Sequence, residues 1–178
     1  LIPDSAHGTN FTSAKLNNLK IVKFSDNITT DEFEILAKSY KDRLCALMIT
    51  YPNTYGIFNE NIKDMTNIIH NYGGLVYMDG ANMNAQSGYT SPGSCGADVC
   101  HLNLHKTFCI PHGGGGPGMG PICVNNKLKD FLPSNIITDG NYETKDSVGM
   151  ITSSNYSSAS LLIIPYLYFK NMGSEGIK

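Results

Sequence analysis

Along the chain, short apolar runs alternate with stretches in which apolar residues recur every three or four positions. Two continuous apolar runs, Leu44–Tyr51 and Leu75–Met78, are typical of strands buried on both faces. Between them, helical spacing predicts a helix that begins at Asn59 or Asn61 and ends at Gly73. The pattern therefore predicts a strand–helix–strand unit.

The same alternation continues on both sides of this unit. Strands are predicted at Leu19–Phe24, Asp98–Leu104 and Pro121–Val124. Helices are predicted after a cap at Thr29 or Thr30, at Asn126–Phe131 and at Ser157–Met172, the last one kinked or interrupted at Pro165. Strands that alternate with helices of this length are typical of a three-layer α/β domain with a mostly parallel sheet.

Polar segments follow three of the predicted strands, at Thr50–Gly56, at Asp79–Asn84 and at His105–Thr107. Ligands of open parallel sheets bind outside the carboxyl ends of the strands. We therefore expect a functional site where these three segments meet.

Composition narrows the class of protein. The chain has 178 residues, 41% of them hydrophobic, with a net charge of −2. That balance argues against nucleic-acid binding, and no apolar run approaches the roughly 20 residues of a membrane span. Five scattered cysteines favour reduced thiols. Because the chain begins at Leu1 rather than a methionine, we expect it to be a fragment of a longer protein.

The segment His101–Pro121 is dense in glycine and histidine, and three chemistries compete for it. A phosphate loop fits poorly, because Met119 and Gly120 stand where such a loop needs Lys and Ser or Thr. A zinc site would use four ligands that are spaced evenly along the chain, whereas structural zinc modules space their ligands in pairs. Those candidate ligands are Cys100, His105, Cys109 and His112.

The third chemistry uses Lys106 and Asp79, each at the end of a predicted buried strand. Pyridoxal phosphate requires such a pair, since a lysine amine binds its aldehyde and a carboxylate keeps its pyridine nitrogen protonated. A lone lysine is more often a surface side chain, so the pairing with Asp79 carries this hypothesis.

Three motifs, Ser5–Asn10, Tyr77–Gln86 and Gly96–Pro121, closely resemble those of the P-protein of the glycine cleavage system, the glycine dehydrogenase (decarboxylating) family. The likeness runs over essentially the whole chain. It implies the aspartate-aminotransferase-like fold (fold type I) of pyridoxal phosphate enzymes. Residues 1–178 would be part of its large domain, without the upstream phosphate-binding part and the C-terminal small domain.

The resemblance also implies residue roles. Lys106 would be the Schiff-base lysine and Asp79 the partner of the pyridinium, while Ala81 would pack against the ring. His105 and Thr107 would lie close to the cofactor, with His105 and Lys106 as proton carriers.

Two further residues, His7 and Asn53, are expected near the cofactor, each in a segment that departs from the family pattern. Asn53 and Tyr55 differ from the usual Ser-Thr-His or Ser-Thr-Asn sequence, and Phe11–Thr12 replaces the usual Pro-Ala. No metal is expected.

The implied reaction is decarboxylation of glycine, with release of CO2 and transfer of the aminomethyl group to the lipoyl group of H-protein. Implied partners are glycine, lipoylated H-protein, the other components of the system and a second P-protein chain in a homodimer or heterodimer. The compartment would be the mitochondrial matrix in a eukaryote or the cytoplasm in a bacterium. Alternatives are another fold type I enzyme, such as an amino-acid decarboxylase or desulfurase, a zinc module, or an inactive fragment.

Overall fold

The computed structural model describes residues 1–112, 118–134, 146–152, 154 and 156–178. The strands are β1 (Ile2–Pro3), β2 (Lys23–Phe24), β3 (Ala46–Thr50), β4 (Leu75–Gly80), β5 (Val99–Leu102) and β6 (Ile122–Val124). The helices are α1 (Gly8–Leu16), α2 (Thr30–Ser39), α3 (Ile62–Asn71) and α4 (Ile163–Ile177). The chain divides into two compact units, one of residues 1–80 and 90–100, the other of residues 81–89 and 101–178.

The first unit is built on parallel strand pairs. β3 pairs with β4 in a register that runs from Ala46 opposite Leu75 to Thr50 opposite Asp79, and β4 is followed in the sheet by β5. β1 pairs in parallel with β2. The core of this unit includes the fully buried side chains of Phe33, Leu47, Ile69, Val76 and Met78. The predicted strand–helix–strand unit is confirmed.

Helix α2 begins where the sequence predicts. The hydroxyl of Thr29 accepts a hydrogen bond from Glu32 N, and the Glu32 carboxylate accepts one from Thr29 N, which forms a capping box. These bonds lower the pKa of Glu32 below its ordinary value. Phe33 and Ala37, one turn apart, then face the core.

Helix α3 is tied to the start of β5 by a buried carboxylate. Asp98, 2% exposed, accepts a hydrogen bond from Val76 N at 2.8 Å and lies 2.7 Å from Nε2 of His70. A carboxylate buried this deeply needs such partners, because its desolvation is otherwise costly. The contact fixes β4 and α3 to the turn that precedes β5.

The second unit has a core of its own, in which α4 packs through Phe169, 5.2 Å between ring centroids from Phe108. Its buried members are Met83, Leu104, Phe108, Ile110 and Met119. Leu102 N donates a hydrogen bond to Pro121 O, and Leu104 N donates one to Met119 O. The residue number rises on one side of the pair and falls on the other, which is the pattern of antiparallel strands. The return from β5 towards β6 is therefore antiparallel.

Two predicted elements are wrong in detail. Asn126–Phe131 forms only a short 3₁₀ turn at Lys129–Phe131, because Leu132 precedes Pro133 and takes an extended conformation. Pro165 does not kink the last helix, since it lies in the first turn of α4, where its missing N–H is not needed. The break comes instead at Gly173.

Helix α1 and strand β1 were not predicted, and the strand predicted at Leu19–Phe24 shrinks to the two residues of β2. The glycine run of residues 113–117, within the segment His101–Pro121, lies outside the described residues, as do residues 135–145, 153 and 155. Among the described residues no helix is long and apolar enough to cross a membrane.

Candidate active site

Asp79, the next-to-last residue of strand β4, carries a buried carboxylate. Its side chain is 6% exposed and lies in register with Thr50 at the carboxyl end of the neighbouring strand. Thr50 Oγ1 is itself buried and has no hydrogen-bond partner within the described part of the chain. The edge of the sheet at which the sequence predicts a site therefore carries a buried carboxylate beside an unbonded hydroxyl.

Asn10 of α1 contacts Asp79 directly. Its Nδ2 donates a hydrogen bond to Asp79 Oδ2 at 3.2 Å, and Asn10 is 3% exposed. Asn10 is the buried residue of its helix. The contact joins the Ser5–Asn10 motif to the end of β4 within the first unit.

His7, predicted near the cofactor, has a local structural role in this structure. Its side chain caps α1, with Nδ1 accepting a hydrogen bond from Thr9 N at 3.1 Å, and it is exposed. The His7 carbonyl accepts a bond from Asn10 N at 2.9 Å. His7 therefore sets where α1 starts, and with it where Asn10 points.

Asp26 gathers two segments that precede and follow β3. Its carboxylate accepts bonds from Ser5 N at 3.0 Å, from the Ser5 hydroxyl and from Asn53 Nδ2 at 3.3 Å. Thr54 Oγ1 donates to Ser5 O at 2.6 Å. We call these four residues the Asp26 clip. It holds the Ser5–Asn10 motif against the loop that follows β3.

Asn53 also shapes that loop. Its Oδ1 accepts bonds from Tyr55 N and Ile57 N, each at 3.0 Å, while Tyr55 itself is 75% exposed. The amide of Asn53 thus serves its own turn and the Asp26 clip. Its predicted contact with a cofactor stays a prediction.

In the second unit, Thr107 joins the segment that follows β4 to the one that follows β5. Thr107 Oγ1 accepts a hydrogen bond from Met83 N at 2.8 Å and lies 3.4 Å from Asn82 Oδ1. Lys106 is exposed and sits in a turn closed by its own N–H to Asn103 O at 3.1 Å. The residues just after Ala81 are therefore bonded to the residue just after Lys106.

His105 is fixed by the backbone of Met119. Its Nδ1 lies 3.1 Å from Met119 N and 3.2 Å from Met119 O. Its ring lies 4.4 Å from that of His112, and a Cβ on Gly118 would come within 3.4 Å of it. The ring orientation is thus set from three sides.

Among the described residues, no group of three His, Cys, Asp or Glu side chains could hold a metal ion. Cys100, one of the four candidate zinc ligands, is a buried residue of β5. The buried position fits the reading of Cys100 as a small core residue.

Sequence reasoning missed Asn10 and Asp26, and the reason differs between them. Asn10 lies in a recognised motif, but α1 shows no apolar face that would reveal the helix or its buried side. Asp26 lies in a short polar turn and resembles any surface aspartate. Both are identified by contacts with residues far away in the chain, Asp79 and Asn53.

A sequence profile of the glycine cleavage system P-protein matches residues 8–151 of the chain. The chain is 54% identical to the glycine dehydrogenase (decarboxylating) of Christiangramia forsetii and 52% identical to the mitochondrial one of Dictyostelium discoideum. Both alignments cover 100% of the chain, but 19% and 18% of the relative. The chain thus spans about a fifth of the length of these relatives.

Among solved structures, pyridoxamine-pyruvate aminotransferase from Mesorhizobium loti is similar, with a TM-score of 0.60 and 17% identity over 99% of this chain and 47% of that one. A likeness at this identity shows the fold. The α/β fold with a mostly parallel sheet is that of the fold type I pyridoxal phosphate enzymes, which confirms the predicted fold class.

Proposed function

Since the chain belongs to the P-protein family of the glycine cleavage system, we propose that its residues serve the pyridoxal-phosphate-dependent decarboxylation of glycine. In this reaction CO2 is released and the aminomethyl group passes to the lipoyl group of H-protein. The proposal draws on the family match for the reaction and on the local structure for the roles of single residues.

The observation that carries the proposal is the hydrogen bond from Met83 N to Thr107 Oγ1. It joins two segments, one of which begins two residues after Asp79 and the other directly after Lys106. This supports Asp79 and Lys106 as members of one functional set.

The side chains fit pyridoxal phosphate. A buried carboxylate that already accepts a bond from Asn10 suits a pyridinium N–H, which donates a charge-assisted hydrogen bond. Lys106 would bind the aldehyde carbon through Nζ, and Asp79 would hold the ring nitrogen. Bound there, pyridoxal phosphate would supply an electron sink for the substrate carbon that loses CO2.

The remaining predicted residues take supporting roles in the proposal. Ala81 would pack against one face of the ring, and Thr107, which accepts a hydrogen bond from Met83 N, would hold the segment after Ala81 close to the cofactor. His105 exchanges protons near Lys106 through Nε2, because its Nδ1 is engaged by Met119. His7 and Asn53 act within the first unit, through α1 and the Asp26 clip.

Substrate and partners follow from the family. The proposed substrate is glycine, and the proposed partners are lipoylated H-protein, the other components of the system and a second P-protein chain. The eukaryotic relative is named mitochondrial and the bacterial one carries no such qualifier. These names support the proposed compartment, which is the mitochondrial matrix for a eukaryotic source and the cytoplasm for a bacterial one.

Our first prediction tests Lys106 in the full-length protein. After incubation with pyridoxal phosphate and reduction with borohydride, peptide mapping should find the cofactor on Lys106. Lys106→Arg should abolish the label, whereas Lys129→Arg, an exposed lysine of the same unit, should retain it. A label on another lysine would overturn the assignment.

The substrate is tested separately by glycine–bicarbonate carbon exchange. Exchange should require lipoylated H-protein and fall at least a thousandfold in Lys106→Arg, since the covalent attachment is lost. Correct labelling of Lys106 without glycine exchange would favour another pyridoxal phosphate enzyme of this fold.

A further inference from the structure

Asn10 is a buried amide on a helix that otherwise buries little. An amide removed from water costs free energy unless it is hydrogen-bonded, so its position demands a partner. The structure supplies Asp79 Oδ2 at 3.2 Å. Because a carboxylate can only accept, the amide nitrogen rather than the oxygen must face Asp79.

The backbone at Asn10 is held from both directions. Upstream, Asn10 N bonds to His7 O at 2.9 Å, and the His7 side chain caps the helix. Further upstream, Ser5 is fixed by the Asp26 clip. These bonds therefore fix the position from which the Asn10 amide contacts Asp79.

The effect of an amide donor on the protonation of a carboxylate has a known sign. A hydrogen bond donated to a carboxylate favours its ionised form over its protonated form. Where a carboxylate and a pyridine nitrogen share one proton, that bias leaves the proton on the nitrogen. The electron-accepting state of the ring needs the proton there.

The phenol of Tyr77 does not oppose this effect of Asn10 on Asp79. Burial, the charge of Asp79 and Cys100 raise the pKa of Tyr77 to about 12. Tyr77 therefore stays neutral at physiological pH and adds no second negative charge beside Asp79.

We propose that Asn10 is a positioning residue that acts through Asp79, orienting the carboxylate so that the ring nitrogen of the cofactor stays protonated. This inference rests on the proposed function. Neither the sequence motifs nor the family match assigns Asn10 this role.

The test, our second prediction, uses the full-length holoenzyme loaded with pyridoxal phosphate labelled with ¹⁵N in the ring. The ¹⁵N chemical shift, followed against pH, reports where the ring nitrogen loses its proton. Asn10→Leu keeps a similar volume but has no donor. Its ring nitrogen should lose the proton about one pH unit lower than in the parent protein, the tenfold change that one hydrogen bond to a charged group gives.

Two further readouts accompany the shift. The dissociation constant of the cofactor should rise about tenfold, and kcat for glycine–bicarbonate exchange should fall while KM for glycine changes little. Asn17→Leu is the matched control, since Asn17 is an exposed amide at the end of the same helix that bonds to Ser13 O. Its ring titration should match the parent protein.

Asn10→Ala keeps the test decisive if Asn10→Leu does not fold, because it removes the donor without adding bulk at a buried position. It should move the ring titration in the same direction. An unchanged ring titration in a folded Asn10 variant that carries the cofactor on Lys106 overturns this inference alone. Absence of the cofactor from Lys106 in the parent protein would instead overturn the proposed function.

Discussion

At the scale of single residues, the described contacts fall into two groups. Asn10 donates a hydrogen bond to Asp79 in one unit, and Thr107 accepts one from Met83 in the other. Asp79 is a predicted cofactor residue, and Met83 lies in the segment that follows another one, Ala81. His7 and Asn53 instead bond mainly to the backbone of their own loops. The first group is expected to affect cofactor chemistry, and the second to affect loop structure.

A third prediction concerns Thr107. Thr107→Val keeps the shape of the side chain but leaves Met83 N without its acceptor. Cofactor affinity of the full-length protein should fall about three- to tenfold, the roughly 0.5–1.5 kcal/mol of one hydrogen bond. Binding is measured by titration of the cofactor absorbance.

Thr107→Ser is the matched control, because it retains the hydroxyl and should retain most of the affinity. Equal affinities for the Val and Ser variants would show that the bond to Met83 does not support the site.

At the scale of secondary structure, some elements are predicted by local sequence signals, whereas others depend on long-range contacts. Three features depend on a few neighbouring residues only, and each was predicted. They are the cap at Thr29, the apolar run of β3 and the helix end at Gly73, which has a positive φ. α1 has no such signal, since its one buried residue faces a strand far along the chain. Periodicity cannot reveal a helix that buries one polar side chain.

A fourth prediction concerns the turn before β5. Gly96 has a φ of +92°, and a Cβ there would lie 2.3 Å from Oγ1 of Thr66 on α3. Gly96→Ala should therefore destabilise the protein by more than about 2 kcal/mol, through both backbone strain and overlap. Denaturant unfolding of the full-length protein measures the change.

Gly93→Ala is its control, since a Cβ at Gly93, in the same turn, has no atom within 4 Å. It should be neutral or slightly stabilising, because alanine restricts the unfolded chain. A stable Gly96→Ala protein would mean that this turn is not packed against α3 as described.

At the scale of the whole molecule, stability depends on groups whose titration differs between the folded and unfolded chain. The pKa of Tyr77 is raised to about 12 by burial and by the charge of Asp79. The unfolded chain gives up this proton near the ordinary value of 10.0, the folded chain only later. The contribution is complete below about pH 10 and is lost as the pH rises towards 12.

This is the fifth prediction. The denaturant midpoint of the full-length protein should fall between pH 10 and 12, and it should fall less in Tyr77→Phe, which has no phenol to ionise. A difference in tyrosinate absorbance between the two proteins should titrate near pH 12. A Tyr77 difference signal that titrates near pH 10 would contradict the raised pKa.

The sequence alone determined the family, the fold class and the central elements of the first unit, because apolar runs, helix caps and the lysine motif are local signals. It also singled out Asp79 and Lys106, since both lie at the ends of predicted strands, although in the structure Lys106 sits in an exposed turn beyond the end of β5. Tertiary structure alone decided which side chains brace them. The bonds of Asn10 to Asp79, of Asp26 to Ser5 and Asn53, and of Met83 to Thr107 join residues 21 or more positions apart. Such pairs depend on how the elements pack, and no local pattern encodes them.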